Sequence, residues 1–476
     1  MRDRQAAGGD ATAPATASVG AVLPGAGQGV VSGSWLGRLW TWFPRRSLLQ
    51  ASGVIAAQGF SSITNFFAGA VLARACSQAE YGVYVQCIVC LTILSGIDMS
   101  LTGYPYTILR PQHKGSRQRT YLGSTLVLQL GILGAIALSF LFVGMGLSFM
   151  HVSSSLVRTI YVMAVAGPVF LARDVVIVMV LADLRIWRNL LMVAGASVAT
   201  IAGLAFCYAT HRLTVPVSFV VFTLCTGAPV AAMLYFDLWK DGDVRRGDLR
   251  EDVGANWRLG KWLAARTLAH TGAVSIFPFL LASFHGSAQT AVYGVCMTYS
   301  NLINPLYAGI SSFFRPRAAH VNAAHPGRLR QITALCVLAL SILLAVFLFT
   351  TVEWGDTIMG VLFGAKYRHP GVILTLAVLA NCVWVLSTPI SIAIDVRQRT
   401  DATFRGRLAG CAVSCVVGTI AVWLWGPVGA VSALILANVS TCLYWLRDFL
   451  VLCRPALASQ EGRSLVPVHE SDNAAC

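Results

Sequence analysis

Twelve stretches of about twenty mostly apolar residues recur along this chain, separated by short polar segments. A helix needs about 20 residues to cross about 30 Å of hydrocarbon. The stretches lie near 50–73, 83–109, 121–149, 157–182, 187–209, 214–236, 259–283, 290–314, 331–352, 371–394, 406–425 and 427–450. The first, seventh and eighth are the most polar, and count as spans because they fall in register with the others. Lipid offers no partner to backbone N–H and C=O groups, so runs of this length form helices. Hydrophobic residues make up 56% of the chain and charged residues 12%, about half the charge of a soluble protein. So little polar surface cannot cover two or three soluble domains. The predicted fold is all-α: a polytopic transmembrane protein of about 12 spans in two six-helix lobes.

The basic residues test this count. The chain carries 35 Lys+Arg against 20 Asp+Glu, a net charge of +15. With the N-terminus inside, 28 of the 35 fall in cytoplasmic segments and five in outward ones, namely Arg74, Arg158, Arg212, Lys366 and Arg368. That asymmetry is a positive-inside signal, and one span more or fewer in the middle scrambles it. Both termini are therefore expected in the cytoplasm. A nucleic-acid partner is not expected, because the charge sits in short clusters between apolar runs rather than along one face.

Residues 1–34 read as a disordered tail with no signal peptide, and 35–47, rich in Trp and Arg, as an interfacial amphipathic segment. Residues 48–238 form the first lobe, 239–256 a charged cytoplasmic linker, 257–452 the second lobe and 453–476 a polar tail. The linker holds nine charges in eighteen residues and a DxD pair, Asp241 and Asp243. A sugar-nucleotide metal site is one reading of that pair; a solvated loop is the plainer one. The lobes look related. The second span opens with Tyr81-Gly82-Val83 and ends at Arg110-Pro111; the eighth opens with Tyr293-Gly294-Val295 and ends at Arg315-Pro316. Orientation matches, which implies a parallel repeat with a substrate site at the repeat interface.

A family resemblance enters at Leu72-Ala73-Arg74, Glu80-Tyr81-Gly82-Val83-Tyr84 and the close of the second span near Asp98. Tyr293-Gly294, Leu362-Phe363-Gly364-Ala365-Lys366-Tyr367 and Gly426-Pro427-Val428-Gly429-Ala430 continue it. In order and spacing these resemble the polysaccharide-biosynthesis flippases, the O-antigen-type branch of the multidrug/oligosaccharidyl-lipid/polysaccharide exporter superfamily, over about residues 48–450. The chain departs from that pattern at Asp98-Met99-Ser100-Leu101 and at Cys76-Ser77. The resemblance implies a multi-pass protein of the bacterial inner membrane. It implies flipping of a polyprenyl-diphosphate-linked oligosaccharide by alternating access, for surface polysaccharides such as lipopolysaccharide O-antigen or exopolysaccharide. Membrane lipids and a polysaccharide polymerase of the export machinery are the implied partners.

A diphosphate head calls for cations in the cavity, and Arg grips phosphate with two N–H groups. Arg74, Arg173 and Arg266 are the candidates, with His270 one turn from Arg266. Asn65, Asn301, Asn304 and Gln58 offer sugar hydrogen bonds. Asp98 and Asp174 are candidates for ion coupling. Each also has a plainer role: snorkelling for Arg74, ion pairing for the other charges, helix–helix hydrogen bonds for the amides. Pro168, Pro278, Pro305 and Pro389 fall inside spans and can kink them.

No cofactor or metal is expected. Cys87 and Cys90 form a lone CxxC inside an apolar run, where packing is the plainer reading than metal or redox chemistry. No Walker sequence occurs, so ATP hydrolysis by this chain is not expected. Two other readings stay open. One is a cation-coupled drug or small-molecule exporter of the same superfamily. The other is a membrane enzyme of the polysaccharide polymerase or ligase type, against which the short outward loop near 353–370 argues. A non-transporting scaffold is a third class.

Overall fold

The fold is seen in a computed structural model. It describes residues 45–151, 154–238, 246–304, 326–397 and 399–452, with scattered residues between 305 and 325. The expected tails, most of the interfacial segment and the Asp241/Asp243 pair lie outside the described residues.

The helices follow the apolar runs. They are α1 (Arg45–Ala75), α2 (Gln78–Asp98), α3 (Tyr104–Leu109), α4 (Ser116–Phe149), α5 (Ser154–Ala182), α6 (Ile186–Ala209) and α7 (Val215–Met233). Then come α8 (Arg246–Ser275), α9 (Phe277–His285), α10 (Ser287–Ser300), α11 (Leu329–Phe363), α12 (Val372–Val396) and α13 (Thr400–Leu452). No strand occurs among the described residues. The protein is an all-α, multi-pass membrane protein.

Ten helical stretches among the described residues are long and apolar enough to cross a membrane. Two details reconcile ten with about twelve. First, α13 covers two predicted spans. Its backbone leaves helical geometry at Gly426, with φ 55° and ψ −132°. Its limbs then run back along each other. A Cβ on Gly429 would lie 1.9 Å from the Ala421 carbonyl oxygen, and one on Gly406 would lie 2.4 Å from the Trp445 indole nitrogen. Second, the run at 290–314 starts as α10, which at 14 residues is too short to count alone.

Local chemistry explains the starts and breaks. Ser77 caps α2: its hydroxyl accepts from the Glu80 N–H, and the Glu80 carboxylate accepts from the Ser77 N–H at 3.0 Å. Such a box is worth about 1 kcal/mol. The acid that opens the Tyr-Gly motif thus begins the helix. Between α2 and α3 the chain makes a π turn, Met99–Gly103. The Tyr104 N–H reaches the Met99 carbonyl, and Pro105, which has no N–H, follows at once.

The two halves meet along α2 and α10. A Cβ on Gly82 would lie 1.9 Å from the Ser287 carbonyl oxygen, and one on Gly294 would lie 2.3 Å from Val85. Close approach at small residues is how helices associate where lipid removes the hydrophobic drive. Large apolar side chains such as Phe142, Leu191, Leu224 and Leu335 stay exposed, as a lipid-facing surface requires.

The turns at Cys76, Gly286, Gly364 and Gly426 share one end. Lys366 reaches the Cys76 carbonyl, and His285 Nε2 lies 2.7 Å from the Val422 carbonyl oxygen. This is the end with few basic residues in its loops. At the opposite, basic end, α8 packs on the first half. Arg117 of α4 pairs with Asp252, Tyr121 donates to Asn256 at 2.7 Å, and Ser100 lies 3.1 Å from Thr267. Residues 246–256, expected within a solvated linker, are therefore the first turns of α8. Asp248, Asp252 and Asn256 recur every four residues and put one face of those turns against α4.

Candidate functional site

Charged groups lie inside the first half, on faces fixed by helical spacing. Ser95 and Asp98 sit three residues apart on α2, so they share a face. Ser95 turns to α5, where its hydroxyl donates to Asp174 Oδ2 at 2.6 Å. Asp98, 1% exposed, turns to α4, where the Gln129 amide donates to Oδ2 at 2.7 Å. The Thr102 hydroxyl donates to the Asp98 carbonyl oxygen at 2.8 Å, with Oδ1 farther off at 3.4 Å. The Gln129 amide oxygen is buried and has no partner among the described residues.

Arg173 adjoins this group. Its Nε and Nη2 donate to Asp174 Oδ1 at 3.2 and 3.0 Å, and its guanidinium stacks 4.8 Å from the Phe170 ring centroid. Asp174 therefore divides its oxygens between Arg173 and Ser95. Only two of the five N–H groups of Arg173 are used on described residues, and its side chain stays 21% exposed. That side chain enters a polar recess between α1, α5, α6 and α7. Thr64 and Asn65, Ser197 and Thr200, and Thr226 line it. Its free volume of about 20 Å³ takes one water-sized group.

The second half carries an amide cluster. The Asn381 amide of α12 donates to the Ser300 hydroxyl at 2.7 Å and to Asn301 Oδ1 at 3.3 Å. Asn438 donates to the Ala380 carbonyl at 2.9 Å. Asn301 and Asn304 are exposed, as are Asn65 and Gln58 in the first half. Amides at this depth face protein or water rather than lipid, because lipid cannot satisfy them.

The predicted residues thus divide. Asn65 and Arg173 share the recess. Arg173 and Asp174 pair, and Asp98 lies on the α2 face that also reaches Asp174. Asn301 belongs to the Asn381 cluster. Arg74 lies at the basic-poor end, donating to the Val361 and Leu362 carbonyls, the latter at 2.9 Å. Arg266 and His270 fall on α8, with their side chains outside the described residues. Sequence reading missed Gln129 and Asn381. Both carry the signal that drew attention to Asn301, an amide in an apolar run, but only packing pairs Gln129 with Asp98.

No family model matches the sequence, and a search of the curated proteins finds no match. Solved structures do match. An inward-facing multidrug resistance MATE family transporter aligns with a TM-score of 0.65 at 13% identity, over 83% of this chain and 96% of its own. The lipid II flippase MurJ, in an inward closed conformation, aligns at 0.64 and 12% identity, over 90% and 94%. The fold resembles that of these transporters. A further MOP transporter, from Pyrococcus furiosus, for which a binding pocket of reversed polarity is described, aligns at 0.57 and 12% identity, over 85% and 95%. At such identities the likeness is one of fold.

Proposed function

We propose that this chain is a flippase. It moves a polyprenyl-diphosphate-linked oligosaccharide across the bacterial inner membrane by alternating access between its halves, for surface polysaccharide synthesis. The observation that carries the reading is Arg173: an intramembrane guanidinium, partly exposed in a polar recess beside Asn65, with N–H groups left over after Asp174. A diphosphate oxygen is the chemistry those donors suit. The amides Asn65, Asn301 and Asn381 supply partners for sugar hydroxyls, and Arg266 and His270 of α8 remain candidates for the same anion. The fold likeness to a lipid II flippase over 90% of the chain agrees with a lipid-linked substrate.

Asp98 favours a second reading. A buried carboxylate with only Gln129 and Thr102 as side-chain hydrogen-bond partners among the described residues, sharing a helix face with the Ser95–Asp174 contact, suits ion coupling. Coupling serves the flippase, but it serves a cation-coupled small-molecule exporter equally. Reconstitution separates the two. Proteoliposomes receive a fluorescent polyprenyl-diphosphate oligosaccharide in one leaflet, and an impermeant quencher reports its arrival in the other. The flippase reading expects transfer faster than in protein-free vesicles, and slower with Arg173→Ala at equal protein insertion. No transfer of the lipid, together with efflux of a cationic dye, selects the exporter.

A further inference from the structure

At the basic-poor end, two helices stop against each other's basic residues. An α-helix ends with four carbonyls that lack intrahelical partners and with the negative end of its dipole. α1 ends at Ala75 and α11 at Phe363. Arg74, on the last turn of α1, donates to the Val361 and Leu362 carbonyls at the end of α11. Lys366, just past the end of α11, donates to the Cys76 carbonyl at the end of α1, with the Arg74 carbonyl at 3.5 Å. Each half therefore supplies the cation that completes the helix terminus of the other. Gln78 donates to the Lys366 carbonyl at 3.4 Å. Aromatic edges close the same seam: Phe66 meets Phe363 at 5.9 Å and Tyr81 meets Tyr367 at 6.2 Å between ring centroids.

We propose that Arg74 and Lys366 form a reciprocal latch, in which each basic side chain caps the other half's helix and the pair holds this end of the transport path shut. The inference rests on the alternating-access reading but not on the identity of the substrate. Opening this end separates α1 from α11, and both helix termini lose their cation together. The two capping contacts thus break as one event, which makes closure all-or-none rather than gradual. The Glu80 carboxylate caps α2 and also acts on Lys366 through its charge. Burial shapes the latch further. It pulls the Lys366 ammonium below the ordinary lysine range, chiefly by desolvation. It also pushes the Cys76 thiol up to about 11, again chiefly by desolvation.

Cys76 is a native reporter. It is 4% exposed and lies in the seam between α1 and α2. In right-side-out vesicles, alkylation of Cys76 by a membrane-impermeant maleimide is read by mass spectrometry of its peptide, with Cys76→Ala as the blank. The native chain should label slowly. Arg74→Gln with Lys366→Gln should label about tenfold faster, since two helix-terminal charge contacts are lost at once. Arg74→Lys, which keeps a donor and a charge, should stay near the native rate. If the double variant does not insert, each single substitution is read in the same way and should still raise the rate. Unchanged labelling in every inserted variant overturns the latch, as does faster labelling from the cytoplasmic side alone. Because no substrate is present, a failed flippase assay leaves this outcome intact, and a failed latch leaves the flippase assay intact.

Discussion

Arg117 of α4 and Asp252 of α8 form a two-pronged ion pair, with Nη2 2.6 Å from Oδ1 and Nη1 3.1 Å from Oδ2. The carboxylate is buried, while Asp248 and Glu251 stand farther off at 3.7 and 3.9 Å. The pair ties the first helix of the second half to the first half at the basic end. It answers, at the opposite membrane face, the contacts of Arg74 and Lys366.

Asp252→Ala should lower the thermal midpoint in detergent, by a loss of about 1–3 kcal/mol, because it removes both close hydrogen bonds of Arg117 and opens a buried gap. Glu251→Ala should leave it within about 0.5 kcal/mol, since that carboxylate is exposed and long-range. Equal effects from the two would show that the pair has no special place at this seam. Fluorescence-detected gel filtration after heating reads both.

Gly82→Ala should be costly. Its methyl group would sit inside the Ser287 backbone, and the helices must separate, at about 1–3 kcal/mol by the usual cost of overpacking. Gly59→Ala, with open space around the new carbon, should be neutral or gain up to about 1 kcal/mol of helix propensity. The contrast is checked by the yield of monodisperse protein at two temperatures.

Gly426→Ala should cost about 1–2 kcal/mol, because the hairpin between the limbs of α13 needs a positive φ that a side chain resists. Gly410→Ala lies on the same hairpin with ordinary helical backbone, yet its new carbon would lie 2.2 Å from the Thr441 hydroxyl. Pairing Gly410→Ala with Thr441→Ala should restore much of the lost stability, whereas no neighbouring change should rescue Gly426→Ala. Rescue of Gly426→Ala by a packing change would sink the backbone argument.

Among the described residues, Arg173→Ala leaves Asp174 with Ser95 as its one remaining side-chain hydrogen-bond partner. If the pair is mainly structural, Arg173→Ala with Asp174→Asn should insert and survive heating better than Arg173→Ala alone, by about 1 kcal/mol or more. Transport should stay impaired in the double variant if the free donors of Arg173 serve the substrate. Recovery of both stability and transport would confine Arg173 to a structural role.

The helical runs were legible because lipid demands length and apolarity, and both are one-dimensional properties. The turn at Gly426 was visible as Gly-Pro between two such runs. The start of α8 at Arg246 was not, because Asp252 and Asn256 read as solvated groups until α4 supplies Arg117 and Tyr121. The candidate site was half visible. A charge inside a span is expensive, so Arg173, Asp98 and Asp174 stood out at once. Their partners did not, since Ser95 and Gln129 are ordinary residues for a membrane helix.

By itself, then, the sequence determined an all-α membrane protein of many spans, with a bias of basic residues to one end. Those follow from the cost of placing backbone and charge in hydrocarbon, which each segment meets alone. The tertiary structure decided what the charges do. It joined Arg173 to Asp174 over a polar recess, and Asp98 to Gln129. It sent Arg74 to the end of α11 rather than to that recess, because an unpaired helix terminus lay within its reach. Such pairings depend on which helices touch, and no single segment carries that information.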